Sequence, residues 1–205
     1  MGRPIPYDGV VSTFLAGIAL GVAAYLAGSF PTASIVGLLS GHDHSREGSG
    51  NPGASNVYRT SGAAYGVLTA VVDAMKGVVP VLAALLLAGR PWAAGAWAMA
   101  TIGHVFPFAR WRNGGKGVAT AGGGSIPLYP LMALVLVPLF IAVVKLTKRA
   151  SVGSLVITGG MVLGVVALHE HRAEVVAALV VAAIILYRHR SNIGRLLSGD
   201  ELKVR

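Results

Sequence analysis

The sequence predicts an all-α fold, a polytopic integral membrane helical bundle of about seven transmembrane segments. Hydrophobic residues make up 54% of the 205-residue chain, and its mean hydropathy is +0.69. Only 12% of the residues are charged, compared with roughly 25% in globular proteins. Several apolar runs are long enough to cross a bilayer. We therefore expect residues 1–205 to form a single integral membrane domain.

Seven apolar segments are candidates for the transmembrane helices. The first begins at Val10, is too long for the hydrophobic region of a signal peptide and shows no cleavage pattern, so we expect it to be retained. It contains Pro31, which predicts a kink because proline lacks the backbone N–H of a helical hydrogen bond. The segments cover residues 10–38, 66–89, 91–106, 117–127, 128–146, 151–168 and 174–188.

The fourth segment, GVATAGGGSIPL, is short and rich in glycine. A transmembrane helix normally needs about 20 residues. A shorter segment is tolerated at membrane depth only where protein shields it or where it lines a wet cavity. We expect one of these environments here, with Pro127 and Pro130 marking the turn into the fifth segment.

The distribution of basic residues predicts the orientation, because cytoplasmic loops carry an excess of Lys and Arg. With seven spans and the N-terminus outside, the outer side keeps Arg3, Arg90 and Arg172, and the other 14 of the 17 basic residues lie inside. With six spans, seven would lie inside and ten outside. We therefore expect seven spans, an outer N-terminus and a cytoplasmic C-terminus. The net charge of +9 then reflects membrane topology and does not indicate nucleic-acid binding.

The first of three polar stretches on the cytoplasmic face is EGSGNPGASNVYRTSG, residues 47–62. Its glycines permit positive φ angles and a close backbone approach to a ligand, and successive N–H groups in such a loop can bind an anion. A flexible linker is the alternative. The glycines, short polar side chains and arginine favour a phosphate-binding loop, whose candidate residues are Gly48, Ser49, Gly50, Asn51, Gly53, Ser55, Asn56 and Arg59.

The second polar stretch is GHVFPFARWRNGGKGVAT, residues 103–120. Lysine binds phosphate as a point charge, and the glycine-rich turn leads into a helix whose N-terminus favours anions. The spacing differs from that of a nucleotide-binding P-loop and does not indicate an ATPase. A basic loop that meets anionic lipid is the alternative. We expect His104 to be structural, and the candidate residues are Gly114, Gly115, Lys116 and Gly117.

The third polar stretch, YRHRSNIGRLLSGDE at residues 187–201, follows the last segment. If the helix continues, His189, Asn192 and Arg195 share one face because they are three residues apart. Glu201 follows them. A polybasic tail that binds lipid head groups is the alternative.

Two other polar groups are predicted to be structural. Asp73 and Lys76 lie three residues apart within the second segment, where charged residues are usually paired or functional, and we expect them to pair. The sequence HEHR at residues 169–172 lacks the histidine spacing of a zinc motif. We expect a solvated outer loop there.

Together the polar stretches resemble those of the bacterial membrane acyl-phosphate:glycerol-3-phosphate acyltransferases. The resemblance rests on the order of GSGNPGASNVYR (48–59), DAMKG (73–77), GHVFPFARWRNGGKGVAT (103–120) and HRSNIGRLLSGDE (189–201), and it covers nearly the whole chain. It implies transfer of an acyl chain from acyl phosphate to the 1-hydroxyl of glycerol 3-phosphate. The products would be lysophosphatidic acid and phosphate, in the first step of phospholipid synthesis.

The resemblance also implies residue roles and partners. Glycerol 3-phosphate, acyl phosphate and membrane lipid are the implied partners, without nucleic acid, cofactor or metal. We expect a monomer in the bacterial inner (plasma) membrane with its active site on the cytoplasmic side, and a link to the enzyme that makes acyl phosphate stays open. Catalytic roles are implied for Ser49, Arg59, Lys116, His189 and Asn192, and substrate-binding or phosphate-binding roles for Gly48, Gly50, Asn51, Gly53, Ser55, Asn56, Gly114, Gly115, Gly117, Arg195 and Glu201.

Three departures and one competing class keep alternatives open. Ser55 stands where the family usually has Thr, Asn113 where Lys is usual, and Ser191 where Glu is common, which leaves room for a paralogue with another substrate. A small anion or phosphate transporter would share glycine-rich basic loops, but its site would lie near the bilayer midplane. Whether His189 is a general base or only orients the substrate also stays open.

Overall fold

The structure, a computed structural model, describes residues 7–110 and 114–204. The predicted positions Arg3, Arg112, Asn113 and Arg205 therefore lie outside the described residues. The described part contains a short 3-10 helix at Phe108–Arg110, no β-strand and ten α-helices. These are α1 (Tyr7–Gly28), α2 (Thr32–Ser40), α3 (Ala54–Ser61), α4 (Ala63–Ala88), α5 (Arg90–Val105), α6 (Val118–Ser125), α7 (Pro130–Thr147), α8 (Ala150–Leu168), α9 (Arg172–Arg188) and α10 (Arg190–Ser198).

Each of the seven predicted segments corresponds to helical structure, and the all-α class is confirmed. The kink predicted at Pro31 is a full break, with α1 ending at Gly28 and α2 beginning at Thr32. Part of the first polar stretch is helical as α3, and Arg59 lies in its last turn. The last helix does not simply continue, because His189 separates α9 from α10.

Several helices have the length and composition of membrane spans. Helices α5 and α9, with 16 and 17 residues, are shorter than an ordinary span, and α6 has only 8 residues. In the part of the chain that the structure describes, four helical segments are long and apolar enough to cross a membrane, namely Val11–Ser40, Ala63–Ala88, Pro130–Thr147 and Ala150–Leu168.

Glycines bring the central helices into backbone contact. A Cβ atom on Gly103 of α5 would overlap the carbonyl oxygen of Tyr25 in α1. In the same way, a Cβ atom on Gly77 of α4 would overlap the carbonyl oxygen of Thr120 in α6. Small residues at such crossings allow membrane helices to pack closely. Helices α1, α4, α5 and α6 consequently form a tight centre.

The short helix α6 is shielded by the other helices of this centre, which is the environment that a segment too short to span a membrane needs. It packs against α4 and α5. The indole of the fully buried Trp97 donates a hydrogen bond of 2.8 Å to the carbonyl oxygen of Ala121. Helix α7 packs mainly on α8, so these two helices form a hairpin beside the centre.

An ion pair and a hydrogen bond together join the ends of three helices, away from the polar stretches. Arg90 at the start of α5 donates two hydrogen bonds, of 2.7 and 3.0 Å, to the fully buried carboxylate of Glu174 in α9. The hydroxyl of Tyr129, just before α7, also donates to Glu174. The nearby His169, Glu170 and His171 are exposed, as predicted for this loop. The network fixes the ends of α5, α7 and α9 relative to one another.

Candidate active site

A cavity of about 750 Å³ contains most of the predicted site residues. One end is polar and is formed by α3, the turn before α6, the α9–α10 junction, α10 and the C-terminal segment. The other end is apolar and lies between α4, α6, α7 and α8. The predicted residues that line the cavity are Ser49, Asn51, Gly53, Ser55, Asn56, Arg59, Lys116, Gly117, His189, Asn192, Arg195 and Glu201.

Four predicted glycines do not line this cavity. Gly48 and Gly50 shape the loop that carries Ser49, because they have positive φ angles of 60° and 67°. Gly114 and Gly115 line a smaller neighbouring cavity instead. These four glycines, predicted to bind substrate or phosphate, do not line the larger cavity.

Gly53 does not use the positive φ angle that glycine permits. Gly53 is the N-cap residue of α3 and is extended, with φ −124°. Close packing explains this glycine better, since a Cβ atom would lie 2.7 Å from the side-chain nitrogen of Asn51.

Asn56 organises the first polar stretch from within. It is buried, and its side-chain oxygen accepts a hydrogen bond of 2.8 Å from the backbone N–H of Ser49. Its amide nitrogen donates bonds of 3.0 Å to the carbonyl oxygens of His44 and Glu47. A buried amide with all these partners holds a loop in one shape. Asn56 thus sets the backbone that presents Ser49.

A hydrogen-bonded chain links the second and third polar stretches. The Lys116 ammonium donates to the side-chain oxygen of Asn192. The Asn192 amide nitrogen donates at 2.7 Å to Glu201, whose other carboxylate oxygen accepts from Arg195 at 2.9 Å. The predicted common face of Asn192 and Arg195 therefore exists, and Glu201 joins them.

The C-terminal segment also holds the first stretch. The Arg59 guanidinium donates a hydrogen bond of 3.1 Å to the carbonyl oxygen of Lys203. The N–H of Val204 donates at 2.7 Å to the carbonyl oxygen of Lys148. The chain beyond α10 thus crosses the polar end of the cavity.

Positive charge concentrates at this polar end. Burial, together with the positive charges of Arg195, Arg59 and Arg188, lowers the pKa of Lys116 to about 8 against the opposing effect of Glu201. Burial, with a smaller effect of Arg195, also lowers the pKa of Arg59. Clustered cations in a partly desolvated site are ready to receive an anion.

His189 is buried and uncharged. Its Nδ1 atom lies 2.8 Å from the carbonyl oxygen of Ile185, so Nδ1 carries the proton and donates to that oxygen. Burial, together with the positive charges of Lys116 and Arg188, lowers the pKa of His189 to about 4 against the opposing effects of the Ile185 carbonyl and Glu201. Its Nε2 atom is then an acceptor at neutral pH.

Arg188 was not predicted as a site residue, yet it holds the glycine-rich turn. Its guanidinium donates hydrogen bonds of 3.2 Å to the carbonyl oxygen of Gly115 and 2.6 Å to that of Gly114. Its position beside His189 in the third stretch was the available signal.

Asp73 and His104 were expected to be structural, yet they line the cavity. The predicted pairing of Asp73 with Lys76 is confirmed, with an Nζ–Oδ1 distance of 2.7 Å. The motif DAMKG, residues 73–77, was the signal that could have placed Asp73 at the site.

Comparisons with known proteins agree on one family. The family model described as Glycerol-3-phosphate acyltransferase matches residues 18–199. The glycerol-3-phosphate acyltransferase of Geobacter sulfurreducens is 42% identical over 183 residues, which cover 89% of this chain and 94% of that protein. That of Anaeromyxobacter dehalogenans is 43% identical over 201 residues, covering 95% of this chain and 100% of the relative.

Solved structures give the same result. The fold is similar to that of PlsY (YgiH), an integral membrane glycerol 3-phosphate acyltransferase, in its glycerol 3-phosphate form, with a TM-score of 0.87, 34% identity and coverage of 92% of this chain and 95% of that one. The lysophosphatidic acid form of PlsY gives a TM-score of 0.85 at the same identity and coverage. The chain therefore belongs to the glycerol-3-phosphate acyltransferase family and is a multi-pass membrane acyltransferase.

Proposed function

We propose that the chain transfers an acyl group from acyl phosphate to the 1-hydroxyl of glycerol 3-phosphate. The products are lysophosphatidic acid and inorganic phosphate, in the first step of phospholipid synthesis. The observation that carries this proposal is the division of one cavity into a cationic end and an apolar end. Both proposed substrates carry phosphate, and one carries an acyl chain, so the two ends match their chemistry. PlsY structures with glycerol 3-phosphate and with lysophosphatidic acid support the same pairing.

The apolar end fits the acyl chain. It lies between helices that include α4 and α7, where apolar residues form the walls. Burying an acyl chain there removes apolar area from water or headgroups, which stabilises the complex in proportion to that area. The lining residues on this side include Val67, Ala70, Ala74, Leu136, Val137, Phe140 and Met161.

The cationic end fits the phosphate groups. Arg59, Lys116 and Arg195 are the positively charged candidates that line it. Glu201 supplies a negative charge among them and hydrogen-bonds Arg195. A bound phosphate would add charge-assisted hydrogen bonds to this set. The loop that carries Ser49 lines the same cavity next to α3.

The reaction needs little proton chemistry from the protein. The 1-hydroxyl oxygen attacks the acyl carbonyl carbon, the bond from that carbon to the phosphate oxygen breaks, and phosphate leaves with the electron pair. A general base works best when its pKa is near the operating pH. With a pKa of about 4, His189 is a weak base, whereas the departing phosphate gains negative charge, and with it basicity, as its bond to the acyl carbon breaks.

We infer that the phosphate of the donor accepts the proton of the 1-hydroxyl, while Nε2 of His189 accepts a hydrogen bond from the other glycerol hydroxyl and so orients the glycerol 3-phosphate. Lys116 and Arg59 stabilise the charge that develops on the leaving phosphate. Asn192 keeps the Lys116 ammonium in place.

The donor test uses purified protein in lipid. Release of phosphate from acyl phosphate should depend on glycerol 3-phosphate, and one lysophosphatidic acid should form for each phosphate released. Acyl-CoA and acyl carrier protein should not replace acyl phosphate. Equal turnover with acyl-CoA would reject the proposed donor while leaving the acyltransferase assignment intact.

The proposed topology has seven spans, an outer N-terminus and a cytoplasmic active site in the plasma membrane. It rests on the charge distribution and on the separation of the polar stretches from the loop at residues 169–171. Single cysteines replacing Arg172 and Ser198 should react with an impermeant reagent from opposite sides. Labelling from one side would contradict this topology. We further propose a single acyltransferase domain acting as a monomer.

A further inference from the structure

A second cavity, of about 30 Å³, lies beside the polar end of the first. This is enough space for a water molecule. Its walls come from the break between α1 and α2, from α4, from the end of α5 and from the turn before α6. Asp73 and His104 line both cavities. We call the smaller one the support cavity.

Three polar atoms in the wall of the support cavity form no hydrogen bond with any described residue. They are Thr32 Oγ1, Asp73 Oδ1 and His104 Nδ1. One of them, on Asp73, takes part in the ion pair with Lys76. The three side chains belong to residues that are less than a tenth exposed. Asp73 Oδ1 lies 3.7 Å from His104 Nδ1, which is beyond hydrogen-bond distance. Buried polar atoms in proteins are nearly always satisfied, by protein or by ordered water.

The charges around the cavity favour water over a cation. The negative charge of Asp73 is already balanced by Lys76, whose Nζ lies 2.7 Å from Asp73 Oδ1. A further cation would be repelled by this ammonium. A water molecule can donate to the carboxylate and still accept from a hydroxyl or an imidazole N–H, so it satisfies all three kinds of atom.

The glycine-rich turn before α6 packs directly against His104. A Cβ atom on Gly115 would overlap the imidazole ring of His104 at Nε2, and one on Gly114 would overlap the carbonyl oxygens of His104 and Val105. The ring therefore touches the turn on one edge and faces Asp73 on the other. Lys116 is the next residue of this turn.

We propose that Thr32, Asp73 and His104 bind a buried water molecule. This hydrated cluster fixes the imidazole ring, and the ring sets the position of the turn that carries Lys116. Asp73 and His104 are thus positioning residues that act through Lys116. The positioning half of this inference rests on the proposed role of Lys116, whereas the water site stands without it.

Crystal structures that resolve ordered water test the site itself. Density should lie within hydrogen-bond distance of Thr32 Oγ1 and Asp73 Oδ1 in the wild type, and it should be weakened or lost in Thr32→Val. Thr69→Val is the matched control, because Thr69 is equally buried but its hydroxyl donates at 2.8 Å to the carbonyl oxygen of Tyr65 in its own helix. An empty cavity, a metal ion there, or a direct bond between Asp73 and His104 would overturn the water site.

Enlarging Gly115 and shrinking His104 together tests whether the His104 ring sets the position of the turn that carries Lys116. Gly115→Ala should lower glycerol-3-phosphate-dependent transfer by about 100-fold, because a misplacement near 1 Å can cost that much. Adding His104→Ala removes the ring that the new methyl group would strike. His104→Ala alone should lower transfer by only about tenfold, because losing the ring displaces the turn less than the new methyl group does, and the double variant should recover to that level. A folded double variant no more active than Gly115→Ala would overturn the positioning role.

A milder variant keeps the positioning claim testable if the double variant unfolds. Thr32→Val should lower kcat/KM by up to about tenfold with an unchanged unfolding temperature, whereas Thr69→Val should lower neither. Equal kcat/KM in these two variants would also overturn the positioning role. Full activity in Lys116→Ala would instead reject the proposed role of Lys116, and the water density would still decide the site.

Discussion

The ionisation of Lys116 should set the upper pH limit of the reaction. Burial and three nearby arginines lower its pKa to about 8, although Glu201 opposes them. Only the protonated ammonium can stabilise a phosphate, so the active form is present below this pKa and is lost as pH rises through it. About 90% of Lys116 is then charged at pH 7 and about 10% at pH 9.

The wild-type kcat/KM should accordingly fall about tenfold between pH 7 and pH 9. The phosphate group of glycerol 3-phosphate does not contribute to the decline between pH 7 and pH 9, because the second pKa of a phosphate monoester is near 6 and the group is already mostly dianionic at pH 7. The measurement is the initial rate of acyl transfer to glycerol 3-phosphate, at limiting substrate, in protein reconstituted into lipid.

Two variants separate Lys116 from other titrating groups. Lys116→Arg keeps a positive charge throughout this range, so its profile should lose the decline even though its rate is lower. Lys116→Ala should lose on the order of 10²–10³ in rate and should also be flat. A wild-type profile without the decline, or an unchanged decline in Lys116→Arg, would refute this reasoning.

Three further variants test other parts of the structure. Gly48→Ala should reduce transfer strongly, because the φ angle of Gly48 is 60° and a Cβ atom would overlap the Asn56 oxygen that holds the Ser49 loop. The control in the same activity assay is Gly95→Ala, since a Cβ atom on Gly95 meets no other atom. Glu174→Ala should lower the unfolding temperature far more than Glu170→Ala, since breaking a buried ion pair typically costs about 3–5 kcal/mol and the Glu170 side chain is 69% exposed. His169→Ala should leave both turnover and unfolding temperature unchanged, and a large loss of turnover would indicate a site on the other side.

The sequence was sufficient to predict where the apolar helices lie, although the first predicted segment is two helices, α1 and α2. A bilayer provides no hydrogen bonds to the backbone, so a spanning segment must be both helical and apolar over many residues. That requirement is local, and for this reason the seven segments match helices to within a few residues. The ordered polar stretches were also local patterns, and they identified the family correctly.

Local patterns could not reveal contacts made at long range. The bonds from Arg188 to Gly114 and Gly115 cross more than 70 positions of the chain, and no periodicity encodes them. The separation of α9 from α10 and the extended backbone at Gly53 depend on what packs around those residues.

Tertiary structure alone decided how the polar groups share one site. The sequence determined which residues are charged, polar or glycine, and therefore which chemistry the chain can perform. Packing of α4, α5 and α6 through glycines determined that Asp73 and His104 reach the cavity and that His104 lies against Gly115. The physical reason is that close packing has discrete solutions set by all the neighbouring helices together, and no single segment contains that information.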